Sequence, residues 1–238
     1  MWSFIRRRRE LARDAERVAH LIMMRKRNQR SLDQQAFVDF ASMIDVPPQN
    51  LHGMYNQESR GSGFDEEGRL KILYEPHVVS RNTGRVLDRR VFPWVYRGRS
   101  INVKLSYPKW KQPDRSRRDI WHPYYENNKG QWEMLATTYE LHEGAIRGAS
   151  YGAFQILGEN AESLGYASTL DMIELMYDGG EFAQMEAAIR YMKRNGVIEP
   201  LRTGNWRLVE ERFNGGGSRG KYAMELSQKV ASIAPVYA

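Results

Sequence analysis

Apolar residues recur at three- and four-residue steps along most of this chain, the spacing of helices with one buried face. Leu11, Ala15, Val18, Leu21 and Ile22 form the first such stripe, with arginines on the remaining faces. Asn28-Gln29-Arg30 breaks it. Ser31 is placed to cap a helix running to Ile44, whose apolar face holds Ala36, Phe37, Phe40, Ala41 and Ile44. Pro47 and Pro48 stop that helix and suit the first turn of the next. In this second helix Leu51, Met54, Tyr55 and Glu58 fall at i, i+3, i+4 and i+7, and Gly61-Ser62-Gly63 ends it. A carboxylate therefore stands in register with a core-facing stripe, in the last turn of a helix.

The texture changes over residues 64–107. Lys71-Ile72-Leu73-Tyr74 and the segment 86–96 are rich in β-branched and aromatic residues. Turn signals at Asp65-Glu66-Glu67-Gly68 and Asn82-Thr83-Gly84 predict a small hairpin or irregular β insert. Residues 108–130, rich in Pro, Asp, Asn, Lys and Arg, predict a long surface loop. Helical spacing then returns. Trp132, Leu135, Ala136, Tyr139, His142 and Ile146 share one face, and a break at Gly148 precedes the segment 149–157. Ser168 caps a helix to Tyr177, and Phe182, Met185, Ile189 and Met192 line another that Gly196 ends. Asn205 caps a helix carrying Trp206, Val209 and Phe213, the loop Asn214-Gly215-Gly216-Gly217 follows, and a last helix spans about 222–233. No repeat of 20 to 50 residues is present. The pattern predicts a mainly α (α+β) fold, with a small β-hairpin element after the helix that carries Glu58. Residues 1–30 are expected to form a basic amphipathic N-terminal arm that carries the first helix, and residues 31–238 one domain.

The 238 residues carry a formal charge of +7, which taken alone suggests a polyanion binder. Its location removes that reading. Residues 1–30 hold ten basic side chains against Glu10, Asp14 and Glu16, and the other 208 residues balance 26 basic groups with 26 acidic ones. The body has no electrostatic reason to seek nucleic acid. The arm has two readings. It is a solvated or loosely docked helix, or an attachment device for an anionic envelope surface such as lipid headgroups, lipopolysaccharide or phosphate-bearing wall polymer. Cysteine is absent, which excludes a disulfide scaffold, a cysteine-ligated zinc or iron–sulfur site and a cysteine nucleophile. No apolar run approaches the ~20 residues of a transmembrane segment. Met1-Trp2-Ser3-Phe4-Ile5 precedes Arg6-Arg7-Arg8-Arg9, the reverse of the order in a secretory signal, so Sec-type export is not expected.

Glu58 is the strongest candidate for chemistry. Neighbours such as Leu51, Met54 and Tyr55 desolvate a carboxylate and raise its pKa. A helix C-terminus, where Lys or Arg is the usual residue, adds negative potential in the same direction. An acid still protonated near neutral pH is what glycosidic cleavage needs, because the leaving oxygen must take up a proton. The bland alternative is a surface glutamate that falls in phase by chance. Histidines 20, 52, 77, 122 and 142 give no HExxH and no two-histidine metal spacing, and His142 fits a satisfied core histidine. No metal and no cofactor is expected. Gly215-Gly216-Gly217-Ser218-Arg219-Gly220-Lys221 lacks the spacing of a phosphate loop, and its glycines suit a tight loop or a close backbone approach.

Taken in order, Gln57-Glu58-Ser59, Ser150-Tyr151-Gly152-Ala153-Phe154-Gln155-Ile156, Arg212-Phe213-Asn214-Gly215 and Tyr222 resemble the lysozyme-like superfamily. The closer resemblance, over about residues 34–233, is to the N-acetylmuramidase domain of phage endolysins. It is carried by Glu58-Ser59-Arg60-Gly61-Ser62-Gly63-Phe64, by Lys71-Ile72-Leu73-Tyr74-Glu75-Pro76-His77, by the segment 149–158 and by Leu164-Gly165-Tyr166. That resemblance implies a lysozyme-like helical domain that cleaves the β-1,4 bond from N-acetylmuramic acid to N-acetylglucosamine in peptidoglycan glycan strands. It makes Glu58 the general acid. Ser150, Gln155 and Asn214 would line the sugar cleft, with Tyr151 and Tyr222 supplying apolar and hydroxyl contacts. Glu75 and His77 either touch substrate or brace the β element, and Glu75 is the candidate base for water. Two departures stand out: Phe213 where tyrosine is usual, and Glu159-Asn160 in place of an aromatic-containing stretch. The implied protein is a phage lysis or virion-associated lysozyme, made in the host cytoplasm, acting in the periplasm or cell wall, and monomeric outside a virion. The same motifs leave open a lytic transglycosylase, with Glu58 as acid and base and the muramyl 6-hydroxyl as nucleophile. They also leave open a non-catalytic peptidoglycan-binding virion module.

Overall fold

A computed structural model describes residues 16–17, 19–26, 31–59, 61–87, 91, 96–97, 100–101, 127–215 and 217–238. The arm positions Leu11, Ala15 and Val18, most of the segment 86–96 and the expected loop over 108–126 lie outside these residues. In chain order the elements are α1 (Gln34–Met43), α2 (Pro48–Ser59), β1 (Ile72–Tyr74), α3 (Pro76–Asn82), β2 (Tyr96–Arg97), β3 (Ser100–Ile101) and α4 (Asn128–Leu141). A 3-10 turn (Glu143–Gly148), β4 (Ala149–Tyr151), β5 (Ile156–Leu157) and two further 3-10 turns follow. Then come α5 (Thr169–Arg194), α6 (Ile198–Thr203), α7 (Trp206–Asn214) and α8 (Lys221–Ile233). The fold is mainly helical with a small three-stranded sheet, in the order β1-β4-β5, and a separate antiparallel pair, β2-β3, in keeping with the expected class.

Local chemistry sets most boundaries. Asp33, not Ser31, caps α1: its carboxylate accepts from the Ala36 amide at 2.8 Å, so the helix starts later than expected. Asn127 caps α4 by accepting from the Gly130 amide, so the helix begins inside the expected 108–130 loop. Ser168 caps α5, its hydroxyl accepting from the Asp171 amide at 3.1 Å and donating to the Asp171 carboxylate at 2.8 Å. Gly180 (φ 62°, ψ −141°) kinks α5 into the two helices anticipated there, a conformation open to glycine. The helix α3 was not anticipated. Its Val78 and Val79 look like strand residues, but Pro76 suits a first helical turn and burial of both valines overrides their β preference.

The chain groups into two units. The first comprises Met1–Lys26, Phe64–Tyr151 and Leu157–Tyr177. A bridge between Phe64 and Leu70 closes the turn at Asp65. The next strand, β1, pairs with the distant β4, in the register Ile72↔Tyr151, Leu73↔Ser150, Tyr74↔Ala149. The other edge of β1 is covered by α4, whose Asn128 and Gln131 side chains accept from the Ile72 and Tyr74 amides at 2.9 Å. Trp132, Tyr74, Tyr151 and Tyr177 fill the interior. Leu21 is also fully buried here, its carbonyl accepting from the Tyr177 hydroxyl, and Arg17 pairs with Asp171 and Glu174.

The second unit comprises Arg27–Gly63, Gly152–Ile156 and Asp178–Ala238. Its core joins Phe37 of α1, Leu51 and Met54 of α2, Met185 and Met192 of α5, Leu201, Val209 and Leu226.

Leu21→Ala removes a side chain with no exposure and should destabilise the protein by ~2–5 kcal/mol. Met23→Ala, at a position 73% exposed, should stay within ~0.5 kcal/mol of the parent. Urea unfolding of the two variants checks this, and equal, negligible effects would show that the segment contributes nothing to the core.

Candidate functional site

The helices α2 and α8 pack tightly at Gly53, where an added Cβ would lie 2.4 Å from Val230 Cγ2. From that point three polar contacts run in opposite senses along the two helices, which are therefore antiparallel. Lys229 Nζ donates to the Asn56 carbonyl at 2.9 Å, Gln57 Nε2 to Glu225 Oε2 at 3.2 Å, and the Tyr222 hydroxyl to Glu58 Oε1 at 2.5 Å. The Asn56 carbonyl is among the last four of α2, which lack partners within the helix. The last turn of α2 has no basic residue of its own. The cation expected at this helix end thus comes from α8, and it offsets the negative potential that the sequence places beside Glu58.

Glu58 is half-buried, whereas Tyr222 is buried. Burial, reinforced by the charge of Glu58, pushes the Tyr222 phenol well up, so Tyr222 remains a neutral donor to the carboxylate. The same two helices wall a cavity of about 560 Å³ lined by Gln57, Glu225, Gln228, Lys229 and Ser232, every one able to hydrogen-bond.

Sequence reasoning missed three residues that shape this unit. Glu210 of α7 is buried, and accepts from Ser218 Oγ at 2.6 Å, the Gly220 amide at 2.8 Å and the Ala223 amide at 3.0 Å. Those bonds, that from Ser218 foremost, hold its carboxyl below the usual range. Glu181, just after the α5 kink, is buried and accepts from Ser62 Oγ at 2.8 Å, which ties down the chain leaving α2. Burial, and then the charge of Glu181, pushes the Tyr55 phenol up as well. Gln184 accepts from the Ala153 amide at 2.7 Å. The one available signal was that α8 starts at a glycine with no side chain to cap it.

Of the expected site residues, the second unit joins Glu58 to Tyr222. Gln155 (φ 50°) closes its own tight turn, its Nε2 donating to the Gly152 carbonyl at 2.8 Å. Asn214 is exposed at the end of α7, where left-handed Gly215 terminates the helix. Phe213 packs edge-on against Tyr191.

The first unit joins Glu75 to Ser150. The Ser150 hydroxyl, itself buried, donates to Glu75 Oε1 at 3.1 Å. His77 Nε2 lies 3.7 Å from the other Glu75 oxygen. Burial, and next the Arg81 charge, pushes the His77 imidazole down to about 4, so near neutral pH this contact is not an ion pair. Tyr151 corrects the expectation of a sugar contact. It has no exposure, and its hydroxyl is spent on the Ile146 carbonyl at 2.6 Å, because β4 turns it into the core beside Trp132. His142 is half-buried and satisfied, its Nδ1 accepting from the Gly144 amide at 3.0 Å. Among the described residues no group of three or more His, Asp or Glu could hold a metal ion, and no helix is long and apolar enough to cross a membrane.

Comparison with known proteins adds family and fold. Residues 47–234 match the family model for N-acetylmuramidase. The structure is similar to the crystal structure of a Burkholderia AP3 phage endolysin, with a TM-score of 0.69 and 23% identity, covering 89% of this chain and 74% of that one. No curated protein matches the sequence.

The depressed imidazole has a stability consequence. A histidine at about 4 in the folded state and near 6.5 unfolded favours folding fully above pH 6.5, and this contribution is lost as pH falls toward 4. Between pH 7 and pH 4 the parent should therefore lose more stability than His77→Gln, by up to ~3 kcal/mol. Carboxylate titration is common to both proteins. Equal losses in urea unfolding at the two pH values would show that His77 is not held neutral.

Proposed function

The chain belongs to the N-acetylmuramidase family and is a peptidoglycan-degrading glycosidase, and we propose that it hydrolyses the β-1,4 bond from N-acetylmuramic acid to N-acetylglucosamine with Glu58 as general acid. The observation that carries this reading is the Tyr222–Glu58 hydrogen bond in the last turn of α2. With Oε1 accepting from a phenol that stays neutral, the transferable proton belongs on Oε2. That proton passes to the glycosidic oxygen as the bond from muramyl C1 breaks, and positive charge develops at C1. Water then adds to C1 and gives up a proton. Glu75 is the base in this reading, its carboxylate oriented by Ser150 and flanked by neutral His77. The product carries a reducing muramic acid end. The polar cavity along α2 and α8 supports a ligand as rich in donors and acceptors as a glycan strand.

The biological setting we infer is phage-driven lysis or a virion-associated lysozyme acting at the cell wall, a reading supported by the likeness to a phage endolysin. The positive excess of residues 1–30 supports added contact with an anionic envelope surface.

Glu58→Gln is nearly isosteric but cannot donate the proton, and should cut turnover of purified sacculi by ~10²–10⁴-fold without loss of fold. Glu75→Gln should fall almost as far. Mass spectrometry of the products should show reducing muramic ends. Ends lighter by one water would mean attack by the muramyl 6-hydroxyl, and hence a lytic transglycosylase.

Replacing Arg6, Arg7, Arg8 and Arg9 with alanine should leave turnover of soluble glycan fragments unchanged. Activity on whole envelopes should drop and its salt dependence flatten, since exposed charges are screened within ~10 Å at 0.1 M salt. An unaltered salt response would assign those arginines no role at the surface.

A further inference from the structure

The first turn of α8 carries Tyr222 and has to satisfy its own amides. A helix leaves its first four N–H groups without internal partners, and a side chain at the capping position usually takes one. Here that position is Gly220 in the left-handed region (φ 90°), so its own side chain offers nothing. The acceptor comes instead from α7. Glu210 Oε1 takes the Gly220 amide and the Ser218 hydroxyl, and Oε2 takes the Ala223 amide. Ser218 Oγ in turn accepts from the Tyr222 amide at 3.3 Å. The backbone on both sides of Tyr222 is therefore pinned, directly or through one hydroxyl, to a single buried carboxylate. A negative charge at a helix N-terminus is also favoured by the helix dipole.

We propose that Glu210 is a positioning residue for the glycosidic step, setting the place of Tyr222 and through it the orientation of Glu58. This rests on the reading of Glu58 as the acid. The link is a run of hydrogen bonds from α7 through the 218–220 loop into the first turn of α8, then across the phenol ring to Glu58 Oε1. A catalytic group must be held to within ~0.5 Å of its working geometry, and a displacement of ~1 Å can cost ~10²-fold in rate. The 2.5 Å contact from Tyr222 transmits any shift of the helix start straight to the carboxylate. Glu210 touches neither substrate nor the transferred proton. Its effect should therefore vanish once the hydroxyl of Tyr222 is gone.

That is the test. Glu210→Gln keeps the shape but puts an amide N–H against backbone donors. Ser218→Ala removes only the bridging hydroxyl. On soluble glycan fragments, Glu210→Gln should lower kcat ~10-fold with KM within about twofold, and Ser218→Ala should lower kcat by roughly threefold. In a Tyr222→Phe background each should change kcat by less than about twofold, because the path to Glu58 is already cut. Losses that persist undiminished in that background, losses that appear in KM rather than kcat, or an unimpaired Glu210→Gln would each overturn the proposal. If Glu210→Gln does not fold, as read by circular dichroism, the paired Ser218→Ala measurements decide it. Glu58→Gln in the same assay tests the acid assignment separately. Were that variant active, the reading of Glu58 would fall, while the coupling between positions 210, 218 and 222 would still report on what Glu210 holds in place.

Discussion

A carboxylate withdrawn from water must be met by donors or it destabilises the fold that buries it. The second unit is arranged around that constraint. Glu58 is met by the phenol of Tyr222, Glu181 by the hydroxyl of Ser62, and Glu210 by one hydroxyl and two backbone amides. The first two contacts join segments more than a hundred residues apart, and the third joins α7 to the loop and helix that follow it. Satisfying these three groups therefore also fixes where α2 ends, how the chain leaves it, and where α8 begins. The contact between Tyr222 and Glu58 requires a close approach of two helices, which Gly53 permits by presenting only hydrogen to Val230.

The first unit solves a different problem with aromatic side chains. A three-residue strand has few ladder bonds of its own, and β1 gains the rest from neighbours. Trp132 Nε1 donates to the Leu70 carbonyl just before β1, and the Tyr74 hydroxyl donates to Thr138 on α4. The Tyr177 hydroxyl accepts from the Leu70 amide and donates to the Leu21 carbonyl. Polar tips of buried rings thus fasten strand, helix and N-terminal segment together. In the same unit Glu75 is presented at the start of α3 and steadied by Ser150 from β4. Its surroundings depend on a pairing between distant strands.

Much of this was legible in the residues in order. Periodic apolar positions located α1, α2, α4, the two halves of α5, α7 and α8. The role of Asn205 as a cap, the stop at Pro47 and Pro48, and the break inside α5 follow from side-chain and backbone chemistry confined to a few residues. Glu58 in the last turn of a helix was visible for the same reason: a three-and-four-residue step places it over Met54 and Tyr55.

Contacts between distant segments were not visible. Val78 and Val79 lie in a helix because burial outweighs their strand preference. Tyr151 sits in a motif that suggested sugar contact, yet pairing of β4 with β1 points it into the core. Glu210 and Glu211 are adjacent and chemically identical, and only the loop folding back from 218–220 makes the first a buried cap and leaves the second exposed. The sequence by itself determined the helical class, most helix limits and the place of Glu58 in the last turn of a helix, because those depend on local spacing and backbone preference. The partners of Glu58, Glu181 and Glu210 were decided by tertiary structure, because hydrogen bonds between separate elements form only once the chain has folded.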